Sequence, residues 1–188
     1  MHARDELALD RVLLMPVHTS PNKPAAADPG AEHRLRMCRL AVADTPGLET
    51  SALEVERGGT SYTVDTLKAI HAMHPDVPLR LIVGADTART LGSWHAPATL
   101  LELADLAVAL RSGTGREQVL ETLGRLGEEG AAARDSVRFL RMEEIEVSSS
   151  LVRERVAREE PIEDLVGPAV AEYIAEHDLY RTPIEVVS

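Results

Sequence analysis

The run Val147-Ser148-Ser149-Ser150-Leu151-Val152-Arg153 puts three hydroxyls and an arginine where a strand turns into a helix. The first amides of a helix have no intrahelical acceptor, and the helix dipole favours negative charge at that end. Arg153, one turn further on, could clamp a phosphate with two parallel hydrogen bonds. An ordinary serine cap with a solvated arginine would read the same way. Gly84-Ala85-Asp86 closes an apolar run: the glycine lets a ligand approach the backbone, and Asp86 could accept from a ribose, or merely cap a helix. Lys23, in Pro21-Asn22-Lys23-Pro24, is a loop cation that alone reads as solvated. Trp94, the chain's one tryptophan, could stack on a flat ring or anchor a core. Cys38 reads as inert packing, and the histidines share no metal-ligand spacing, so no protein-borne metal site is expected.

These residues need elements to carry them. Residues 2–9 read as the end of a helix and 11–16 as a buried strand ended by proline, followed by a Pro- and Ala-rich loop to Gly30. A helix is expected over 31–44, with Leu35, Cys38 and Val42 on one face, then a strand over 49–55. Ser61 is a plausible N-cap for a helix reaching about Met73, stopped by Pro75 and Pro78. Strands follow at 79–83, 106–110 and 137–140. Short helical pieces flank Trp94 and Pro97, and 117–126 reads as a weakly helical surface excursion. Helices are expected from Ser148 to about Arg158 and from Pro168 to about His177. Strands alternating with helices imply one α/β domain over 1–188, a doubly wound, mostly parallel sheet with helices on both faces and a C-terminal helical part at about 148–180. Ligands in such sheets bind beyond the carboxyl ends of the strands.

Composition narrows the classes. The 188 residues are 44% hydrophobic, as an ordinary globular domain requires. No apolar run approaches the roughly 20 residues of a membrane span, and no signal-peptide core opens the chain. A single cysteine cannot form an internal disulfide, which suits a reducing, cytoplasmic compartment. Acids outnumber bases 31 to 20, net −11, which argues against a nucleic-acid surface but not against a small phosphorylated ligand. The sequence is compatible with a homo-oligomer but does not specify one.

In order along the chain, these features resemble one family. Leu9-Asp10-Arg11-Val12, Pro16, Pro21-Asn22-Lys23-Pro24 and Glu32-His33-Arg34-Leu35-Arg36-Met37 are similar to the bacterial nicotinate-nucleotide adenylyltransferases. So are Ser61-Tyr62-Thr63-Val64-Asp65-Thr66-Leu67, Gly84-Ala85-Asp86, Trp94-His95, Leu101-Glu102-Leu103-Ala104 and Arg111. Ser148 to Arg153, then Ala171-Glu172-Tyr173-Ile174 and His177-Asp178-Leu179-Tyr180, complete the series. The resemblance leaves out only 112–135. The serine/arginine motif is shared with the wider nucleotidyltransferase superfamily; the Ser61–Leu67 run and the ending are more specific.

The resemblance implies a Rossmann-like fold and transfer of AMP from ATP to nicotinate mononucleotide, with Mg²⁺, giving deamido-NAD and pyrophosphate. By the same resemblance Ser148, Ser149, Ser150 and Arg153 hold the ATP phosphates, and Gly84 and Asp86 lie along the adenosine. Tyr62, Thr63 and Trp94 line the nicotinate mononucleotide side. Lys23 is a phosphate-side cation alongside Arg153, and Arg34 is a weaker candidate for that task.

The sequence departs from the family pattern in three places. The family opens with a strand and a His-x-Gly-His motif whose histidines stabilise the transferring phosphates; this chain starts inside the following helix, without them. Asn22 replaces the histidine usual before Lys23, and Pro97 stands where a second aromatic often follows Trp94. In a sheet of order 3-2-1-4-5 the absent strand is central. The segments 11–16 and 79–84 are then expected either to close on each other or to leave a weakly stable domain. A start site assigned too late, or a truncated chain, accounts for the absence more simply than evolved loss. Two other readings stay open: a non-catalytic nucleotide-binding remnant, and the related phosphopantetheine adenylyltransferase, which shares the serine motif but not this ending.

Overall fold

The computed structural model describes residues 2–21, 28–111, 115–142 and 147–181, with the side chains of 111 and 142 left aside. Its elements in chain order are α1 (His2–Glu6), β1 (Val12–Leu14), α2 (Ala31–Val42), β2 (Leu48–Thr50), α3 (Leu53–Arg57) and α4 (Thr63–Met73). Then come β3 (Arg80–Gly84), α5 (Ala85–Ala88), a 3₁₀ turn at Leu91–Ser93, α6 (Pro97–Leu103) and β4 (Asp105–Arg111). The remainder is α7 (Arg116–Gly124), α8 (Gly127–Ser136), β5 (Arg138–Met142), α9 (Ser149–Ala157), α10 (Glu163–Val166) and α11 (Pro168–Glu176). Helices alternate with parallel strands, as a doubly wound α/β fold requires.

The chain divides into two compact units. One comprises 7–61 and 145–188. Its sheet is β1 paired parallel with β2, Val12 opposite Leu48 and Leu14 opposite Thr50. Beyond the strand ends, a bridge joins Thr19 to Thr60. The core of this unit is C-terminal: Val152, Ile162, Val170, Ala171, Ile174 and Leu179 pack together, with Met37 and Leu40 of α2 against them. Gly30 precedes α2 at φ +101, a conformation that any side chain would strain, and its amide donates to the Asp28 carboxylate at 2.9 Å.

The other unit comprises 2–6 and 62–144 and is built on the parallel sheet β3-β4-β5. Alternate residues of β4 point to opposite faces, yet Leu106, Ala107, Val108 and Leu110 are all buried, so both faces of this strand are covered. Leu91, Leu100, Val119 and Leu123 complete the core. At an order of magnitude, each fully buried leucine here contributes about 2 kcal/mol by leaving water.

Several sequence expectations are corrected. The strand expected over 49–55 ends at Thr50, and Leu53–Arg57 is a helix: burial of Val55 is met by one helical turn rather than by alternation. Ser61 does not cap α4; the residue before that helix is Tyr62, and the Ser61 hydroxyl instead accepts from the His18 amide at 2.9 Å. The segment 117–126 is no surface excursion, because Val119 and Leu123 are among the most buried residues of the chain, and a second helix, α8, follows it. Helix α10 was not expected. Among the described residues β1 is paired only with β2 and β3 only with β4, so the closing of 11–16 on 79–84 is not found.

Candidate active site

In the unit that carries β1, helix α9 opens as the serine run foretells. Ser148 is its N-cap, and its Oγ accepts the Leu151 amide at 3.1 Å. The amides of Ser149 and Ser150 precede the intrahelical ladder, and all three serines are exposed. Arg153 reaches back along the helix, its Nη2 donating to Ser150 Oγ at 3.3 Å. The result is hydroxyls, leading amides and a guanidinium at one helix start, a set of donors without an acceptor anion.

Arg34 of α2 is held differently. Its Nη2 donates to the carbonyls of Val17 (2.6 Å) and His18 (2.8 Å), and its Nη1 is paired with Asp28. Those bonds tie α2 to the chain leaving β1, on either side of the segment that contains Lys23. Lys23 itself, with Asn22, lies outside the described residues. The Nε atoms of both Arg34 and Arg153 are sealed from solvent with no hydrogen-bond partner among the described residues. The charges of both arginines act on one group, the hydroxyl of Tyr180, together with that of Asp28. Burial raises the Tyr180 phenol above the usual tyrosine range, Arg153 pulls it back, Asp28 adds to the rise and Arg34 opposes it. Burial likewise raises the Cys38 thiol, against the lowering pull of Arg34.

In the other unit, β3 runs into α5 at Gly84. A Cβ built on Gly84 meets nothing within 4 Å, so the glycine is not required by packing and the space before it is open. Asp86 is exposed and paired with Arg89. Thr63 is the first residue of α4, and Tyr62 stands just before it, 36% exposed. The Tyr62 ring meets the His95 ring at a centroid distance of 4.7 Å, inclined by 42°. Trp94 packs partly into the core, and its Nε1 donates to Thr90 Oγ1 at 3.1 Å, which fixes the indole. Between His95 and Pro97, Ala96 takes a left-handed φ of +48, since a residue before proline is kept from the right-handed helical region.

Within the first unit the structure therefore gathers Ser148, Ser149, Ser150, Arg153 and Arg34 around one anion-favouring neighbourhood. Within the second it gathers Tyr62, Thr63 and Trp94, with His95 as the added member. Sequence reading passed over Tyr180, Asp28 and His95. Tyr180 and His95 lie inside motifs that carried the resemblance, but neither spacing nor residue type assigned them a task. Among the described residues no group of three or more His, Cys, Asp or Glu is placed to hold a metal ion, and no helix is long and apolar enough to cross a membrane.

Comparison with known proteins places this geometry. The family model described as cytidylyltransferase-like matches residues 1–155. A probable nicotinate-nucleotide adenylyltransferase of Trichlorobacter lovleyi is 37% identical over 95% of this chain and 89% of its own length. The protein of the same description from Thermomicrobium roseum is 38% identical over 95% of this chain and 81% of its own length. Among solved structures, the Plasmodium falciparum nicotinic acid mononucleotide adenylyltransferase complexed with NaAD aligns with a TM-score of 0.68 at 18% identity, over 97% of this chain and 93% of that one. The same enzyme complexed with APC aligns at 0.67 and 17% identity, over 94% and 85%. The structural likeness shows a shared fold, and the sequence matches show the family. The chain belongs to the cytidylyltransferase-like nucleotidyltransferases and, among them, to the nicotinate-nucleotide adenylyltransferase family.

Proposed function

We propose that this protein transfers the adenylyl group of ATP to nicotinate mononucleotide, forming deamido-NAD and pyrophosphate in NAD biosynthesis. The observation that carries the reading is the donor set at the start of α9, Arg153 Nη2 on Ser150 Oγ beside exposed hydroxyls and leading amides, in a chain of this family. In the reaction a phosphate oxygen of the mononucleotide attacks the α-phosphorus of ATP in line. The bond from that phosphorus to the β-phosphate bridging oxygen breaks, and pyrophosphate leaves with the electron pair. Such chemistry asks the protein mainly to position two anions and to neutralise charge as it shifts to the leaving group.

Ser148, Ser149, Ser150 and Arg153 are assigned to the ATP phosphates, with Arg153 and Lys23 the cations that offset charge on the transferring and leaving groups. Gly84, with open space before its backbone, and Asp86 are assigned to the adenosine. Tyr62, Thr63 and the fixed indole of Trp94 are assigned to nicotinate mononucleotide. Arg34 serves this reading by fixing the chain on both sides of Lys23. Mg²⁺ enters on the substrate side, as MgATP, which agrees with the lack of a metal-ligand cluster among the described residues. A single domain and a cytoplasmic location belong to the same reading.

The test is pyrophosphate release from ATP, Mg²⁺ and nicotinate mononucleotide by the purified chain, beside a form extended upstream in the same reading frame. Release that requires the mononucleotide, from either form, is the expected result. ATP binding without turnover by both forms contradicts the enzymatic reading and favours a nucleotide-binding role.

A further inference from the structure

A half-buried phenol normally finds a hydrogen-bond partner, because an unmatched hydroxyl away from water is costly. Tyr180 departs from this. Its ring packs against the C-terminal core beside Val152, the residue preceding Arg153, yet among the described residues its hydroxyl has no partner. The backbone holds it in place at some cost: Asp178 and Tyr180 both take left-handed conformations, φ +51 and +65. Leu179 between them is buried, and its amide donates to the Ile174 carbonyl at 3.0 Å. An ion pair between Arg181 and Asp178, at 2.8 Å, closes the turn. Around this fixed phenol stand Arg153 and Arg34, each with a buried and unpartnered Nε. Asp28 is already paired with Arg34.

We infer that Tyr180 is a further ligand-binding residue of the nucleotide site: its hydroxyl donates to the same phosphate group that Arg153 clamps. This rests on the assignment of Arg153 to the ATP phosphates and adds to it a neutral donor from the C-terminal turn. Two consequences of the geometry favour a donor there. Burial keeps the phenol protonated well into the alkaline range, so it offers a proton rather than a repelling charge. Its strained, core-anchored backbone means that no ordering of a loose side chain opposes binding. The C-terminal turn, built from the ending His177-Asp178-Leu179-Tyr180, thereby acquires a ligand-facing task besides packing.

The experiment measures binding of ATP and of adenosine, by calorimetry, to the chain and to Tyr180→Phe. A hydrogen bond to a charged phosphate is worth enough that Tyr180→Phe should weaken ATP roughly tenfold. Adenosine, which has no phosphate, should bind both proteins equally. The ATP-to-adenosine ratio is taken within each protein, so it does not depend on any change in folded fraction. An unchanged ratio overturns the inference. So does an equal loss for both ligands, which would make Tyr180 a packing residue. If the chain itself binds adenosine but gains nothing from the phosphates of ATP, the assignment of Arg153 falls, and this inference falls with it.

Discussion

In the unit that carries β3, β4 and β5, Leu91, Leu100 and Val119 are wholly buried, and the only polar residue buried with them is Thr66. In the unit that carries β1 and β2, the strands are three residues each and the fixed points are polar. Arg34 binds two carbonyls, Ser61 takes the His18 amide, and His33 Nδ1 lies 2.9 Å from the Tyr173 hydroxyl. One unit is held by apolar area, the other by directional bonds between residues far apart in sequence. The comparison teaches where function is carried: the polar unit holds the phosphate-facing donors, and the apolar one offers a rigid frame for Tyr62, Thr63 and Trp94.

The sharpest way to break the comparison is to empty the apolar core. Leu100→Ala should cost about 3–4 kcal/mol, read by urea unfolding. A loss below about 1 kcal/mol would show that the core relaxes freely and that apolar packing is not what holds that unit. Next comes Gly130→Ala. Where α8 crosses α7, a Cβ would run into the Leu123 carbonyl and approach the Leu126 Cβ to 2.6 Å. Separation of the two helices should cost about 2–3 kcal/mol. Gly130→Ala melting at the parent temperature would contradict that close crossing.

In the polar unit, Arg34→Met keeps the stem but strands two carbonyls and the Asp28 carboxylate. We expect a loss of about 2 kcal/mol, with faster amide exchange in β1 and α2 and none of that change in β4. Exchange accelerated equally in both units would mean that they unfold as one and would erase the distinction.

The smallest effect is alkaline. Both groups whose proton affinity is raised by burial, Cys38 and Tyr180, lie in this unit. The folded chain holds their protons more tightly than the unfolded one. Their contribution is therefore intact below the unfolded values and is lost as pH rises through the thiol range and then the phenol range, from about pH 8.5 upward. Cys38→Ala should flatten the first part of that decline. A stability that rises with pH there would reverse the sign.

Much of the apolar unit was legible in the sequence. Residues 79–83 and 106–110 announce their strands as continuous β-branched and leucine runs, and the breaks around Trp94 and Pro97 gave its short helices. The segment after Arg111 was not legible, because glycines at 124, 127 and 130 weaken the helical pattern, while Gly130 is there to let two helices touch. In the polar unit the serine cap of α9 could be read from residue types alone. The role of Ser61 could not, since its partner His18 is 43 residues away and no local rule points to it. The same holds for Tyr180: its surroundings are drawn from α2, α9 and the loop before α2, and only the folded chain brings them together.

The account's central claim is adenylyl transfer to nicotinate mononucleotide, and the most direct measurement follows the α-phosphorus. The chain and its upstream-extended form are given ATP labelled at that phosphorus, with Mg²⁺ and nicotinate mononucleotide. The account predicts label in deamido-NAD, formed only when the mononucleotide is present. Label that stays in ATP with both forms, or appears as AMP regardless of the mononucleotide, would contradict it.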